Sequence, residues 1–342
     1  MNFASDNAYG ALPQVLAALA AAGEGAAASY GEDGITQALG ARFASLFEKD
    51  VAMFPVLTGT AANALALATI VPPHGAVLCH ETSHIMVHEC GAPEFFSHGA
   101  KLIGLAGADG KLSPADIAAA LKRLPRGDVH VVQPFAISLS QPTELGTVYS
   151  RDELAAIAAV ARAHGLKLHL DGARFANAVA ALGCTPAEAS WRSGADILSF
   201  GATKGGALAA EAVIFFNPAD AGDFAFRRKK AGHLLSKMRF VSAQLAAWLE
   251  GGLWLASAAR ANGLAARLGE GLKARGVRLF APVQTNMVFA ELSVTAAERL
   301  RAAGAVFHDW TSPADGFVVV RLATAFATPQ ADVDWFLALL DG

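Results

Sequence analysis

A lysine, an aspartate, a histidine and two threonines around a glycine are the groups in this chain whose types and spacing invite chemistry. Lys204 closes the run Leu198 to Gly206, an apolar stretch that reads as a strand entering a core. Lysine is rarely fully buried, and a buried ammonium answers by lowering its pKa. The residue is therefore either a snorkelling surface lysine or an amine placed for covalent chemistry. Asp171 closes a second strand-like run, Leu168-His169-Leu170-Asp171, with Arg174 three residues on. Such an aspartate is either half of a loop salt bridge or a carboxylate whose ionised form holds a protonated heterocycle. The two residues lie 33 apart (204 − 171), about one βα unit plus a strand, so they can end neighbouring strands.

Thr58-Gly59-Thr60 follows an apolar strand and opens the helical pattern Ala61 to Ile70. A helix N-terminus with free N–H groups is a ready phosphate site, although the same residues serve equally as an N-cap. The stretch lacks both the lysine of a P-loop and the GxGxxG of a dinucleotide site. His80, His84 and His88 are spaced at i, i+4, and HETSH resembles HExxH. That zinc motif needs a continuous helix, and His80-Glu81 falls at a strand exit, so no metal is expected. A phosphate cup, a histidine able to stack on a ring, a carboxylate at one strand end and a lysine at the next describe a pyridoxal phosphate site. Such sites use a lysine Schiff base and an acidic partner for the pyridinium nitrogen.

The elements that must position these groups alternate along most of the chain. Strand candidates fall at 51–56, 76–79, 101–105, 129–133, 166–170, 196–200 and 211–216. Several intervening helices have clear starts: Ser150-Arg151-Asp152-Glu153 is a capping box, and Gly165 closes its helix. Ser113-Pro114-Ala115-Asp116 and Thr185-Pro186-Ala187-Glu188 repeat the scheme with proline at the first helical position. Alternation of this kind implies an α/β fold with a mostly parallel sheet, whose ligands bind beyond the carboxyl ends of its strands. After about residue 250 the pattern changes to a long alanine-rich helix, strands near 277–280, 285–292 and 317–323, and a last helix from about 329. The expected division is a large domain over 1–250 and a smaller α+β domain over 251–342.

Composition narrows the class. In 342 residues, 54% are hydrophobic and 17% charged, enough for a large core. No run reaches the ~18 consecutive apolar residues of a membrane span. A net charge of −3 with mixed signs argues against nucleic acid as a partner, and the basic run Arg227-Arg228-Lys229-Lys230 reads as a helix face. The first residues lack the pattern of a signal peptide, and three cysteines without CxxC spacing argue against a disulfide framework or zinc site. A reduced, cytoplasmic location is the expectation.

The chain resembles the L-threonine aldolase family of fold-type-I pyridoxal-phosphate lyases. The resemblance rests on Ser5-Asp6-Asn7, Tyr30-Gly31-Glu32-Asp33, Thr58 to Asn63, Glu89-Cys90-Gly91-Ala92-Pro93-Glu94-Phe95-Phe96, His169 to Arg174, Phe200 to Lys204 and Ala231 to Phe240, in that order. It covers essentially the whole chain and is similar in particular to low-specificity L-threonine and L-phenylserine aldolases. The resemblance implies that Lys204 binds pyridoxal 5'-phosphate covalently, that Asp171 pairs with its ring nitrogen and that His84 stacks on its face. It further implies that Thr58, Gly59, Thr60 and Thr203 hold the cofactor, with Arg174, Lys229, Lys230 and Arg239 nearby. Ser5, Arg174 and Arg321 would bind the carboxylate of a β-hydroxy amino acid cleaved to glycine and an aldehyde. A homotetramer or dimer is implied, with Tyr30 reaching a neighbour's site. The phenylserine likeness tilts the expected substrate toward an aromatic side chain. Many relatives carry a histidine beside the substrate hydroxyl; by alignment Gln141 takes that place, and glutamine is no general base. His84, or a water it holds, is then the expected base. Gly205-Gly206 departs from close relatives and reads as loop flexibility. The rival readings are an aminotransferase or another β-eliminating lyase of the same fold, and a non-catalytic pyridoxal-phosphate binder.

Overall fold

The computed structural model describes residues 1–341. Seven strands form the first sheet: β1 (Ala52–Val56), β2 (Gly75–His80), β3 (Lys101–Leu105), β4 (Gln133–Ser140), β5 (Lys167–Gly172), β6 (Ile197–Gly201) and β7 (Glu211–Phe215). Their order is β1-β7-β6-β5-β4-β2-β3. Every pairing is parallel except those of β7, which runs antiparallel to both neighbours. Helices cover the sheet, so β2 and β6 are buried at every residue. This is why they read as continuous apolar runs rather than alternating ones.

Two expected elements differ. The strand expected at 129–133 begins instead at Gln133 and runs to Ser140. Its lead-in is a turn held by the Gln133 amide, which donates to Asp128 O at 3.0 Å and Val131 O at 3.1 Å. Thr185-Pro186-Ala187-Glu188 makes both capping-box bonds but opens only a turn. There the Ser190 and Ser193 hydroxyls donate to Pro186 O and Glu188 O at 2.6 Å, competing with helix propagation. The capping box at Ser150 and the cap at Ser113 form as expected.

The second sheet comprises β8 (Arg278–Leu279), β9 (Met287–Ser293), β10 (His308–Asp309) and β11 (Phe317–Ala323), ordered β10-β11-β9-β8 and wholly antiparallel. The helices Leu253–Ala274 and Gln330–Ala338 pack on it. The first residues of the chain join this unit: Phe3 donates to Val306 O and accepts from Ala323 N, both at 2.8 Å, and its ring meets Phe336 edge-on. The chain start is thereby carried across to the mouth of the first sheet. No helix among the described residues is long and apolar enough to cross a membrane.

Candidate active site

The carboxyl ends of β1, β2, β4, β5 and β6 face one cavity of about 370 Å³, lined by residues that include Thr58, His84, Glu144, Asp171, Arg174, Lys204 and Glu211. β5 and β6 are adjacent and parallel, with Asp171 opposite Ser199. Asp171 and Lys204 therefore leave neighbouring strands on the same side, as their spacing allows. Lys204 lies in a short turn, Thr203–Gly205. Thr203 anchors that turn, accepting from Ala210 N at 3.2 Å.

The glycines beside Lys204 are a packing device, which corrects the expectation of loop flexibility. A Cβ on Gly205 would sit 2.4 Å from the Trp248 indole, whose Nε1 donates to Gly205 O at 2.9 Å. Gly206 has φ +115° and passes within 2.5 Å of Leu12 when given a Cβ. Trp248 also packs against Phe200, with centroids 5.7 Å apart, so the strand end and the lysine turn share one aromatic support.

The helix Gly59–Ile70 points its N-terminus at the cavity, capped by Thr58 Oγ1 accepting from Ala61 N at 3.2 Å. The Leu57 N–H entering it donates to His233 Nδ1 at 3.2 Å. Burial lowers the pKa of His233, in keeping with a neutral acceptor. His233, in the segment Ala231 to Phe240, thus fixes the strand exit that leads into this helix.

Asp171 is 6% exposed and accepts from Ala173 N at 3.1 Å and Asn63 Nδ2 at 2.8 Å. His84 Nδ1 lies 2.9 Å from Glu89 Oε1, and this hydrogen bond holds the imidazole above its ordinary range. Burial pushes the Glu89 carboxyl up. Glu211 is buried, accepts from Ala202 N at 2.9 Å, and burial lifts its carboxyl to about 7 despite donors and the nearby Lys204 charge.

Arg174 is gripped by Asp6 through two bonds, Nε to Oδ2 at 2.6 Å and Nη2 to Oδ1 at 2.9 Å. Although burial works the other way, the Arg174 charge holds Asp6 below the usual carboxylate range. Arg321 sits within β11 rather than at its end; its Nη2 donates to Ala4 O at 3.0 Å, and its Nε is buried without a partner. Burial and the Arg174 charge lower its pKa.

Five expected site residues stand elsewhere in the single chain. Ser5 caps the turn Asp6–Ala8 through a bond from Asn7 N, and Asn7 lines the cavity instead. Tyr30 is 48% exposed and stacks under Lys229 Nζ at 4.3 Å. Lys230 lines a different cavity with Phe95 and Phe226, and Arg239 donates to Gly25 O at 3.3 Å.

Gln141 is corrected outright. It is fully buried, and both ends of its amide are used by the Tyr149 backbone, at 2.9 and 3.0 Å. The polar group this loop presents to the cavity is Glu144, three residues on. Among the described residues no cluster of three or more histidine, cysteine or acidic side chains could hold a metal ion.

The residues fit pyridoxal phosphate on the structure's own terms. A free helix N-terminus suits a phosphate, and Asp171 meets only neutral donors, leaving its charge for a cationic ring nitrogen. Lys204 makes no ion pair among the described residues. An acidic residue and a lysine ending adjacent strands above such a helix define a fold-type-I pyridoxal-phosphate enzyme.

The comparisons with known proteins agree. Residues 2–295 match the family described as beta-eliminating lyase. The chain is 47% identical to a low specificity L-threonine aldolase of a Pseudomonas species and 48% identical to that of Pseudomonas aeruginosa. Each match covers 90% of this chain and 88% of the relative. A threonine aldolase of Leishmania major superposes with a TM-score of 0.94 at 31% identity, over 99% of this chain and 98% of that one. A serine palmitoyltransferase of Sphingomonas wittichii shares the fold, with a TM-score of 0.72 at 16% identity over 100% and 86% of the two chains. The chain belongs to the beta-eliminating lyase family, on its L-threonine aldolase branch, and its cofactor is pyridoxal phosphate.

Proposed function

We propose that this protein cleaves L-β-hydroxy-α-amino acids, among them L-threonine, L-allo-threonine and L-phenylserine, into glycine and an aldehyde. The observation that carries the reading is the single cavity joining Lys204, Asp171, His84 and Arg174 at the N-terminus of the helix Gly59–Ile70. The activity printed for the relatives supports it.

When bound, pyridoxal phosphate supplies the electron sink that takes up the pair left on Cα. Lys204, in the turn Thr203–Gly205, would hold it through Nζ and place its amine in the same cavity as the substrate. Asp171 pairs with the protonated ring nitrogen, while Thr58, Gly59, Thr60 and Thr203 hold the phosphate. Arg174, with Arg321 behind it, fixes the substrate carboxylate; a guanidinium fork suits that bidentate work. Fixing the carboxylate would orient the substrate so that its Cα–Cβ bond is the one presented for cleavage. His84 faces the reacting side and takes the β-hydroxyl proton as the aldehyde forms.

Tyr30, Lys229, Lys230 and Arg239 would serve a neighbouring copy's site. Phe95 and Phe226, 75% and 79% exposed, supply apolar surface for such a homo-oligomer. Aldehyde release from L-threonine, L-allo-threonine and L-threo-phenylserine tests the substrate class. Release from at least one is expected; release from none overturns the reading, and the ranking assigns the side-chain preference.

A further inference from the structure

Glu89 opens the segment Glu89 to Phe96 that carried the resemblance, yet nothing in the proposed chemistry uses it. It is 4% exposed, a costly place for a carboxylate. Cys90 and Gly91 follow with φ +52° and +73°, and this left-handed turn lets the helix Ala92–Phe96 start at once. Non-glycine residues adopt such a φ at a cost, so the chain is held here against its preference.

The contacts of Glu89 form a chain across the floor of the cavity. Its Oε1 lies 2.9 Å from His84 Nδ1 and accepts from Asn63 Nδ2 at 2.8 Å. The same Asn63 nitrogen donates to Asp171 Oδ2 at 2.8 Å. One amide thus spends its two hydrogens on two carboxylates, one facing His84 and the other the proposed ring nitrogen. Glu89 Oε2 is buried without a partner. A simple buttress between helix and strand has no use for two acidic groups held together by one amide. The arrangement is balanced only when each carboxylate also meets a positive group.

We propose that Glu89 is the positioning residue that keeps His84 protonated at Nδ1 and turned with Nε2 to the cavity, and that Asn63 ties this state to Asp171. The proposal rests on the reading that Asp171 and His84 face the cofactor. The charged groups facing His84 are the carboxylates of Glu89, Asp171 and Glu144, with the His88 ring 5.6 Å away. Of the three, only Glu89 touches it. The raised pKa of His84 follows from the same contact.

The test is long-range 1H–15N correlation spectroscopy of the cofactor-loaded full chain with 15N-labelled histidine, the His84 signals being assigned by their loss in His84→Asn. In the wild type the neutral imidazole is expected to carry its hydrogen on Nδ1. In Glu89→Gln, which keeps size and one acceptor, the His84 midpoint falls by about one pH unit or more, a ~tenfold drop in the ratio of protonated to neutral ring. Glu89→Asp, which restores the charge, recovers part of the shift. An Nε2-protonated neutral ring in the wild type overturns the proposal without any variant. An unmoved midpoint in a folded Glu89→Gln protein also overturns it. Failure of the aldolase reading leaves these spectra unchanged, so the two failures are distinguishable.

Discussion

Glu211 gives a quantitative handle on the site, because a buried carboxyl beside Lys204 must leave a mark on stability. Its ordinary value is 4.5, and burial carries it to about 7 in the fold. The folded state therefore binds its proton more tightly than the unfolded chain does. By linkage, stability is unaffected below about pH 4.5, falls as pH rises toward 7, and stays lower above that. At ~1.4 kcal/mol per pH unit the full cost is about 3 kcal/mol. Glu211→Gln keeps an acceptor for the Ala202 N–H and cannot ionise. Urea unfolding of the cofactor-free full-length chain is expected to show little difference between the two proteins at pH 4.5. At pH 8 the variant should be more stable by about 3 kcal/mol. A pH-independent difference, or a variant less stable at pH 8, would refute the reasoning.

Three further outcomes follow from the geometry. Gly205→Ala drives a methyl into the Trp248 ring and should cost about 1–3 kcal/mol of unfolding free energy, read by thermal or urea melts. Asp6→Asn leaves the half-buried Arg174 without its counter-charge. It should cost ~3 kcal/mol near neutral pH, where the Asp6–Arg174 pair is intact; in the wild type that stability is present above pH ~4 and is lost as pH falls through the depressed Asp6 value. Glu144→Gln removes a carboxylate that lines the cavity and whose charge faces His84. It should lower the pH midpoint of His84 while cofactor affinity, read by absorbance titration, is unchanged.

Much of this architecture was legible in the sequence because local chemistry and the fold agree. The parallel strands read as unbroken apolar runs, and Lys204, Asp171 and Thr58, singled out by their places at strand ends, line one cavity. The misses have a common cause: contacts between segments remote in sequence. Gln141 was expected beside the substrate hydroxyl, but its amide is consumed by Tyr149 eight residues on, which only the folded loop reveals. Ser5 is a turn cap, leaving Asp6 to hold Arg174 from 168 residues away. The serines that compete for the Pro186 and Glu188 carbonyls ended a helix whose opening signal was correct. Glu89 and Asn63 lay inside motifs already noted, but their meeting required the helix Gly59–Ile70 and the turn at Cys90 to pack together.

The claim that this cavity breaks a Cα–Cβ bond, rather than eliminating a β-substituent, is tested most directly by product analysis. The cofactor-loaded protein is incubated with L-threonine and the mixture followed by NMR, with Lys204→Ala in parallel. The account gives glycine and acetaldehyde in equal amounts from the wild type and neither from the variant. Appearance of 2-oxobutyrate and ammonia instead, or equal turnover by Lys204→Ala, would contradict it.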